Sequence, residues 1–277
     1  MYCLRSYILM KKTSLAAIFI TYLVLGTAHA SSSELSLRYE VQWGNVNVAY
    51  GEATWVFGEN KVTMAGASTT LGAVDTFRKY RGSVKLEAEA IDGLYQPKSL
   101  TIEGNYKKRR KSASTVWKES QSTILTTRQP ELDLERVYPL QEQHIDNSID
   151  PFTVMLNALS NLRLAGQCDG VYKIYDGLRT ATLRFHDLGK TFLASDRPTA
   201  FEGQTWRCGV TSTPTGGHRI KSRWRHEDQK IDDVVVYVAA LQPELFVPVR
   251  MEIKTMVGKV TTRLVVPSVS FKQIDGE

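Results

Sequence analysis

Metal and redox chemistry find little material in this chain: three cysteines and five histidines among 277 residues. There is no Cys-x-x-Cys pair and no histidine close in sequence to a cysteine. A His-Glu-x-x-His zinc helix, a Gly-x-Ser-x-Gly nucleophile elbow and a glycine-rich phosphate loop are all missing. Neither an internal repeat nor a low-complexity tract interrupts the pattern. His144, His186, His218 and His226 are never at helical i, i+4 spacing and sit among polar or turn residues, as loop histidines do. These absences weigh against enzyme classes built on such motifs, and no cofactor and no metal is expected.

Long apolar runs are equally scarce. Leu15 to Gly26 is too short to span a bilayer comfortably, and it follows a positive patch at Lys11 and Lys12. Ala28-His29-Ala30 then supplies a small-x-small cleavage pattern. Residues 1–30 therefore read as a signal peptide, with either Met1 or Met10 as its start. Export to the periplasm after cleavage near Ala30 is expected, with residues 31–277 forming one β-rich domain and no transmembrane span. Arg5, Lys11 and Lys12 leave with the leader, so 35 basic residues become 32 against 29 acidic and a net charge of +6 becomes +3. A surplus that small is no argument for a polyanionic partner, and no nucleic acid is expected.

Removal of Cys3 with the leader leaves Cys168 and Cys208. An even pair in an oxidising compartment reads as a structural disulfide.

What the chain does have is alternation. Leu35, Leu37, Tyr39, Val41 and Trp43 alternate with polar residues, as do Val84, Leu86, Ala88 and Ala90, and Val249, Met251 and Ile253; each set is a half-buried strand. Val46, Val48 and Tyr50 lie on one parity while Ala53, Trp55 and Phe57 lie on the other. The switch at Gly51 predicts a β-bulge there. Val234 to Leu241 is apolar on both parities, which predicts a strand covered on both faces. One solid helix interrupts the strands. Asp150 caps it, Pro151 occupies its first position, Phe152, Met155, Leu159 and Leu162 form its apolar stripe, and Gly166 stops it. Asp176-Gly177 predicts a hairpin turn. Residues 128–149 read as an extended connection, and the rest as strand or loop. The expected fold is mainly β: a single curved antiparallel meander, an open or partly closed barrel, with one helix near residues 151–164 packed on it.

Three features invite a functional reading. Lys107, Lys108, Arg109, Arg110 and Lys111 form a basic run that suits either a solvated hairpin end or contact with an anionic surface such as lipid or lipopolysaccharide phosphates. Trp43, Trp55, Trp117, Trp206 and Trp224 are spread over the strands, either as core or as the lining of a concave apolar surface. The carboxylate pairs Asp232-Asp233 and Glu87/Glu89 suit solvated strands better than glycosidase chemistry.

The chain resembles an exported bacterial family catalogued as domain of unknown function 3108. The resemblance rests on Tyr39-Glu40-Val41 through Trp43-Gly44, Gly51-Glu52-Ala53, Gly93-Leu94-Tyr95-Gln96-Pro97 and Lys108-Arg109-Arg110. It continues through Asp150-Pro151, Cys168, Tyr175-Asp176-Gly177-Leu178-Arg179, Cys208 and Pro248-Val249-Arg250. Residues 119–149 and 187–203 contribute nothing to it. It implies a β-rich envelope protein with no established activity, and it carries over no catalytic residue. Open-barrel carriers of lipids or lipoproteins, with a helix across the mouth, offer an architectural analogy only. The expected function is thus non-enzymatic: binding of an apolar or amphiphilic envelope component (a lipid, lipoprotein or other) on the curved sheet. The alternative is a structural or interaction protein of the envelope whose sheet is filled by its own side chains.

Overall fold

The computed structural model of the chain describes residues 32–107, 109–118, 124–131, 133–221 and 229–274. The leader reading, Cys3, Lys108, Trp224 and His226 lie outside them. The chain opens with β1 (Ser32–Trp43), β2 (Val46–Phe57) and β3 (Lys61–Thr70), then a short helix α1 (Gly72–Arg78). β4 (Tyr80–Ile91), β5 (Leu94–Tyr106), β6 (Arg109–Trp117) and β7 (Ile124–Gln129) follow. A one-turn helix α2 (Glu142–Ile145) precedes the long helix α3 (Pro151–Ala165). The second half runs β8 (Gly170–Tyr175), β9 (Thr180–Leu193), β10 (Gly203–Gly216) and β11 (Val234–Gln242). It finishes with β12 (Leu245–Thr255), β13 (Gly258–Leu264) and β14 (Ser270–Ile274).

Among the described residues all fourteen strands belong to one antiparallel sheet, ordered β7-β6-β5-β4-β3-β2-β1-β13-β12-β11-β10-β9-β8, with β14 paired to β1 beside this path. β1 is the spine. One of its edges pairs with β2 along its length, and the other is shared between β14 (Ser32 to Ser36) and β13 (Tyr39 to Trp43). The sheet curls until its two ends approach, but β7 and β8 form no ladder. Arg128 of β7 instead donates to the Tyr175 hydroxyl and the Gly177 carbonyl beyond β8. Gly177 has φ +82, and a Cβ there would lie 3.0 Å from both Ala113 and Thr115. Only glycine suits both demands, which explains the Asp-Gly turn at the seam. The free edge of β8 is patched by Ile149, which exchanges backbone hydrogen bonds of 3.0 Å with Lys173 and Tyr175.

α3 begins and ends where its capping residues dictate. The buried Asp150 carboxylate accepts from Phe152 N at 2.8 Å and Thr153 N at 3.0 Å, and Gly166 closes the helix at φ +71. On one side Leu156 joins a core with Leu35, Leu37, Trp55, Met64, Leu86 and Leu100; further along, Leu162 packs with Cys168, Cys208 and Val238. Asn157 acts as a surrogate strand: its side chain accepts from Tyr95 N at 2.7 Å and donates to Tyr95 O at 2.9 Å. Val235, Val238 and Ala239 are all buried, so β11 is covered on both faces as its sequence predicts.

Three expectations need correction. The register runs unbroken through Gly51, which pairs Tyr39 and Ser68; the bulge falls at Val48, where Val41 faces Ala49 and Gln42 faces Asn47. Apolar residues ahead of Gly51 do not serve the core, since Val46 is exposed and Tyr50 carries the Arg38 guanidinium 4.9 Å from its ring centroid. α1 and α2 stand where strand or loop is expected, because both are too short for a 3.6-residue apolar repeat to show. Finally, alternation predicts a strand over Leu178 to Phe185, but β9 runs from Thr180 to Leu193, and β14 forms at Ser270–Ile274 where alternation is weak.

Candidate functional site

Cross-strand register converts the early sequence into horizontal rows. The lowest, Leu35–Trp55–Met64–Leu86–Leu100–Thr115, is fully buried. Above it run Leu37–Ala53–Gly66–Val84–Ile102–Ala113, and then Tyr39–Gly51–Ser68–Gly82–Gly104–Lys111. Side-chain volume shrinks from row to row, and exposure grows until Ser68 is open to solvent. A packed interior needs volume to fill it, and the upper rows do not supply it.

The result is a cavity of about 900 Å³ between the concave sheet and α3. Its wall includes Leu37, Trp55 and Val84 from the sheet and Phe152, Met155 and Leu159 from the helix. Tyr39 crosses the upper wall and donates its hydroxyl to Pro248 O at 3.0 Å; burial pushes its pKa upward. Tyr80 lies over Gly82 and Gly104, filling part of the space they leave, whereas a Cβ on Gly51 would meet only Ala67 O at 3.6 Å. Such a space can enclose hydrocarbon and offers few polar partners; its size falls in the ~300–1,000 Å³ range of small-molecule sites.

The helix closes one end of this space. Its anchors, Tyr95 beyond the β4–β5 turn and Glu244 in the β11–β12 turn (paired with Arg163), both lie at the same end of the sheet. Trp117, the last residue of β6, donates to Ser148 O at 2.8 Å there too. The opposite end, with the β1–β2 turn, α1 and the β5–β6 turn, is where the small-residue row lies.

Cys168 and Cys208 form a disulfide with Cα atoms 5.3 Å apart, fastening the chain just after α3 to β10. Of the basic run, Lys107 occupies the β5–β6 turn at φ +56, and Arg109, Arg110 and Lys111 open β6. Arg110 pairs with Glu103 at 2.9 Å. The run is thus at a hairpin end, away from the disulfide and the helix. Trp55 lines the cavity, Trp117 is core, Trp206 packs at a tilt against Phe246, and Trp43 points outward. Glu87 and Glu89 pair with Lys61 and Lys98, and Asp232 with Lys254. His186 meets the Thr211 hydroxyl and His218 the Thr180 carbonyl. Among the described residues no group of three His, Cys, Asp or Glu side chains could hold a metal ion, and no helix is long and apolar enough to cross a membrane.

Two features escape a strand-by-strand reading. The glycines at 66, 82 and 104 share a face only once the register is known. The second is a polar clamp on the loop after β9. Buried Arg263 donates to Asp196 at 2.9 Å and to Gln42 at 2.8 Å; Arg197 donates to Gln42 at 2.7 Å; Arg250 pairs with Glu252 at 2.8 Å and Asp196 at 3.4 Å. Burial raises the Asp196 pKa, but the Arg263 hydrogen bonds and the Arg250 and Arg197 charges outweigh it and hold the carboxyl below its usual range.

Fold and site define a class: a curled antiparallel sheet that does not close on itself and keeps an apolar hollow under a disulfide-tethered helix. Within that class the chain belongs to the family described as protein of unknown function (DUF3108), whose model matches residues 38–265. No curated protein matches the chain. Among solved structures it is similar to a β-barrel-like protein of domain of unknown function DUF1849 from Brucella abortus, at 10% identity and a TM-score of 0.49. That likeness covers 89% of this chain and 99% of the other.

Proposed function

We propose that the protein is a non-enzymatic periplasmic binding protein that shelters the apolar part of an amphiphilic cell-envelope component between the curved sheet and α3. The observation that carries this reading is the cavity of about 900 Å³, left unfilled because the row through Gly51, Ser68 and Gly82 lacks side-chain volume. Hydrocarbon gains about 0.8 kcal/mol for each methylene buried, so an acyl chain or similar group is the occupant such a wall favours. A self-filled structural sheet would account for the lowest row and Leu156, but not for the rows above. The test is native mass spectrometry and lipid extraction of the protein purified from its own envelope, with an acyl-chain dye titrated afterwards. A stoichiometric lipid, displaced by the dye, is expected. A clean apo mass with no dye binding would sink the reading and leave the structural one.

A further inference from the structure

We propose that the end of the sheet opposite α3 docks on an anionic lipid bilayer. Four neighbouring turns meet there, each bonded to the next. Gly44 N donates to Lys259 O at 2.9 Å and Trp43 Nε1 to Val257 O at 3.0 Å, joining the β1–β2 and β12–β13 hairpins. Leu71 N donates to Val48 O at 2.8 Å, bringing α1 alongside β2, and Lys107 N donates to Lys79 O at 2.9 Å, adding the β5–β6 turn. Every one of the first three turns carries large apolar side chains into water: Met256 is 95% exposed, Phe77 73%, Val257 70%, Val46 61% and Trp43 46%. Five such residues on adjoining tips are not the scattered apolar exposure of an ordinary surface.

Charge decides the partner. Three carboxylates at this end are already matched: Asp75 by Arg81 at 2.5 Å, Glu103 by Arg110 at 2.9 Å and Asp232 by Lys254 at 2.6 Å. Asp233 accepts the Lys230 N–H within its own turn. Arg78, Lys79, Lys107 and Arg109 are exposed; among the described residues none forms a salt bridge, although the Lys79 charge acts through space on Asp75. Apolar tips beside uncompensated bases fit a bilayer of anionic lipids, whose interface accepts Trp, Phe and Met while its phosphates meet Lys and Arg. Tyr80, which lines the cavity, directly follows Lys79, so this end is also the one beside the small-residue wall. The docking does not depend on the cavity having a ligand.

The test is co-sedimentation of the full oxidised protein with phosphatidylglycerol-containing and pure phosphatidylcholine vesicles at low and high salt. Wild type is expected to pellet with the anionic vesicles and to be released by salt. Phe77→Ser/Met256→Ser/Val257→Ser and, separately, Lys79→Ser/Lys107→Ser/Arg109→Ser should each bind at least about tenfold more weakly, while Leu94→Ser at the helix end binds like wild type. Absence of wild-type binding, or rim variants that bind unchanged, overturns the proposal. So does a dimer in sedimentation velocity that the apolar-tip variant disperses without any vesicle binding, which would assign the rim to a second copy. Gly51→Leu, which fills the cavity, separates the two readings: it should lose acyl-dye binding and keep vesicle binding.

Discussion

Two aspartates, Asp150 buried and Asp196 at the surface, titrate in opposite senses, and each gives its own pH signature. Asp150 caps α3 through Phe152 N, Thr153 N and the Thr153 hydroxyl, yet burial is the larger influence and raises its pKa. The folded chain therefore holds that proton more tightly than the unfolded one. Its contribution to stability is full below the ordinary Asp value of about 4 and is lost as pH rises through the raised folded value. Asp150→Asn keeps an acceptor at the cap and removes the ionisation, so its stability relative to wild type should improve from about pH 4 to pH 7. Asp150→Ala, lacking the cap, should cost about 0.5–2 kcal/mol. Asp196 runs the other way. Although burial raises its pKa, Arg263, Arg250 and Arg197 bring it down, so its contribution is present above the ordinary Asp value and is lost as pH falls through the depressed one. With its side chain 36% exposed, solvent screening holds the loss in Asp196→Asn to about 1 kcal/mol at neutral pH. Urea melts of both Asn variants across the acid range check the two signs; parallel curves for the two would contradict this account.

At the scale of elements, the disulfide fastens the C-terminal side of α3, adding to the Asn157–Tyr95 and Arg163–Glu244 contacts that hold the helix over the cavity. Leu156 and Leu162 bury on the sheet, but the segment after Gly166 has few other anchors: Asn161 to Asp169 O, and Cys168 N to Asp187. The bridge closes a loop of 40 residues, worth about 4 kcal/mol in the chain-entropy account. Reduction, or Cys168→Ala/Cys208→Ala, should lower stability by that order, while thiol labelling of the unfolded oxidised protein finds neither residue free. Equal melting midpoints with and without reductant would show that packing alone positions the helix. α3 was legible because every device that builds a helix is written into residues 150–166: acidic cap, proline at the first turn, periodic apolar residues, glycine stop. α1 was not, since seven residues with no buried side chain leave no periodic trace. Glycine permits a bulge and the parity switch falls at Gly51, but Gly51 keeps ordinary pairing and Val48 absorbs the extra residue. Parity alone could not separate a bulge from a strand whose outer face is also apolar.

Across the whole molecule, the alternating strands made the curved meander readable, whereas the site depends on which strands are neighbours. Gly66, Gly82 and Gly104 are far apart in the chain and look like unrelated weak points in three strands; register alone assembles them into one wall. The Arg263–Asp196 clamp was invisible for the same reason, its partners being 67 residues apart. The wall supplies a test that separates filling from folding. A Cβ at Gly51 would meet only Ala67 O at 3.6 Å, an ordinary contact, so a larger side chain there can extend into the hollow without displacing the backbone. At Gly66 a Cβ would lie 2.9 Å from Val84 Cγ1 and 3.2 Å from Glu52 O, so even alanine must push its neighbours. Gly51→Leu is therefore expected to leave the urea midpoint unchanged or slightly raised, since glycine weakens a strand interior. Gly66→Ala should cost about 1–3 kcal/mol through overpacking. If the hollow is where an acyl chain binds, Gly51→Leu should also weaken acyl-dye affinity by at least about tenfold, the equivalent of losing two buried methylenes. Dye titrations and melts on the same preparations check both halves. A folded Gly51→Leu protein that binds the dye like wild type would move the binding site away from this wall.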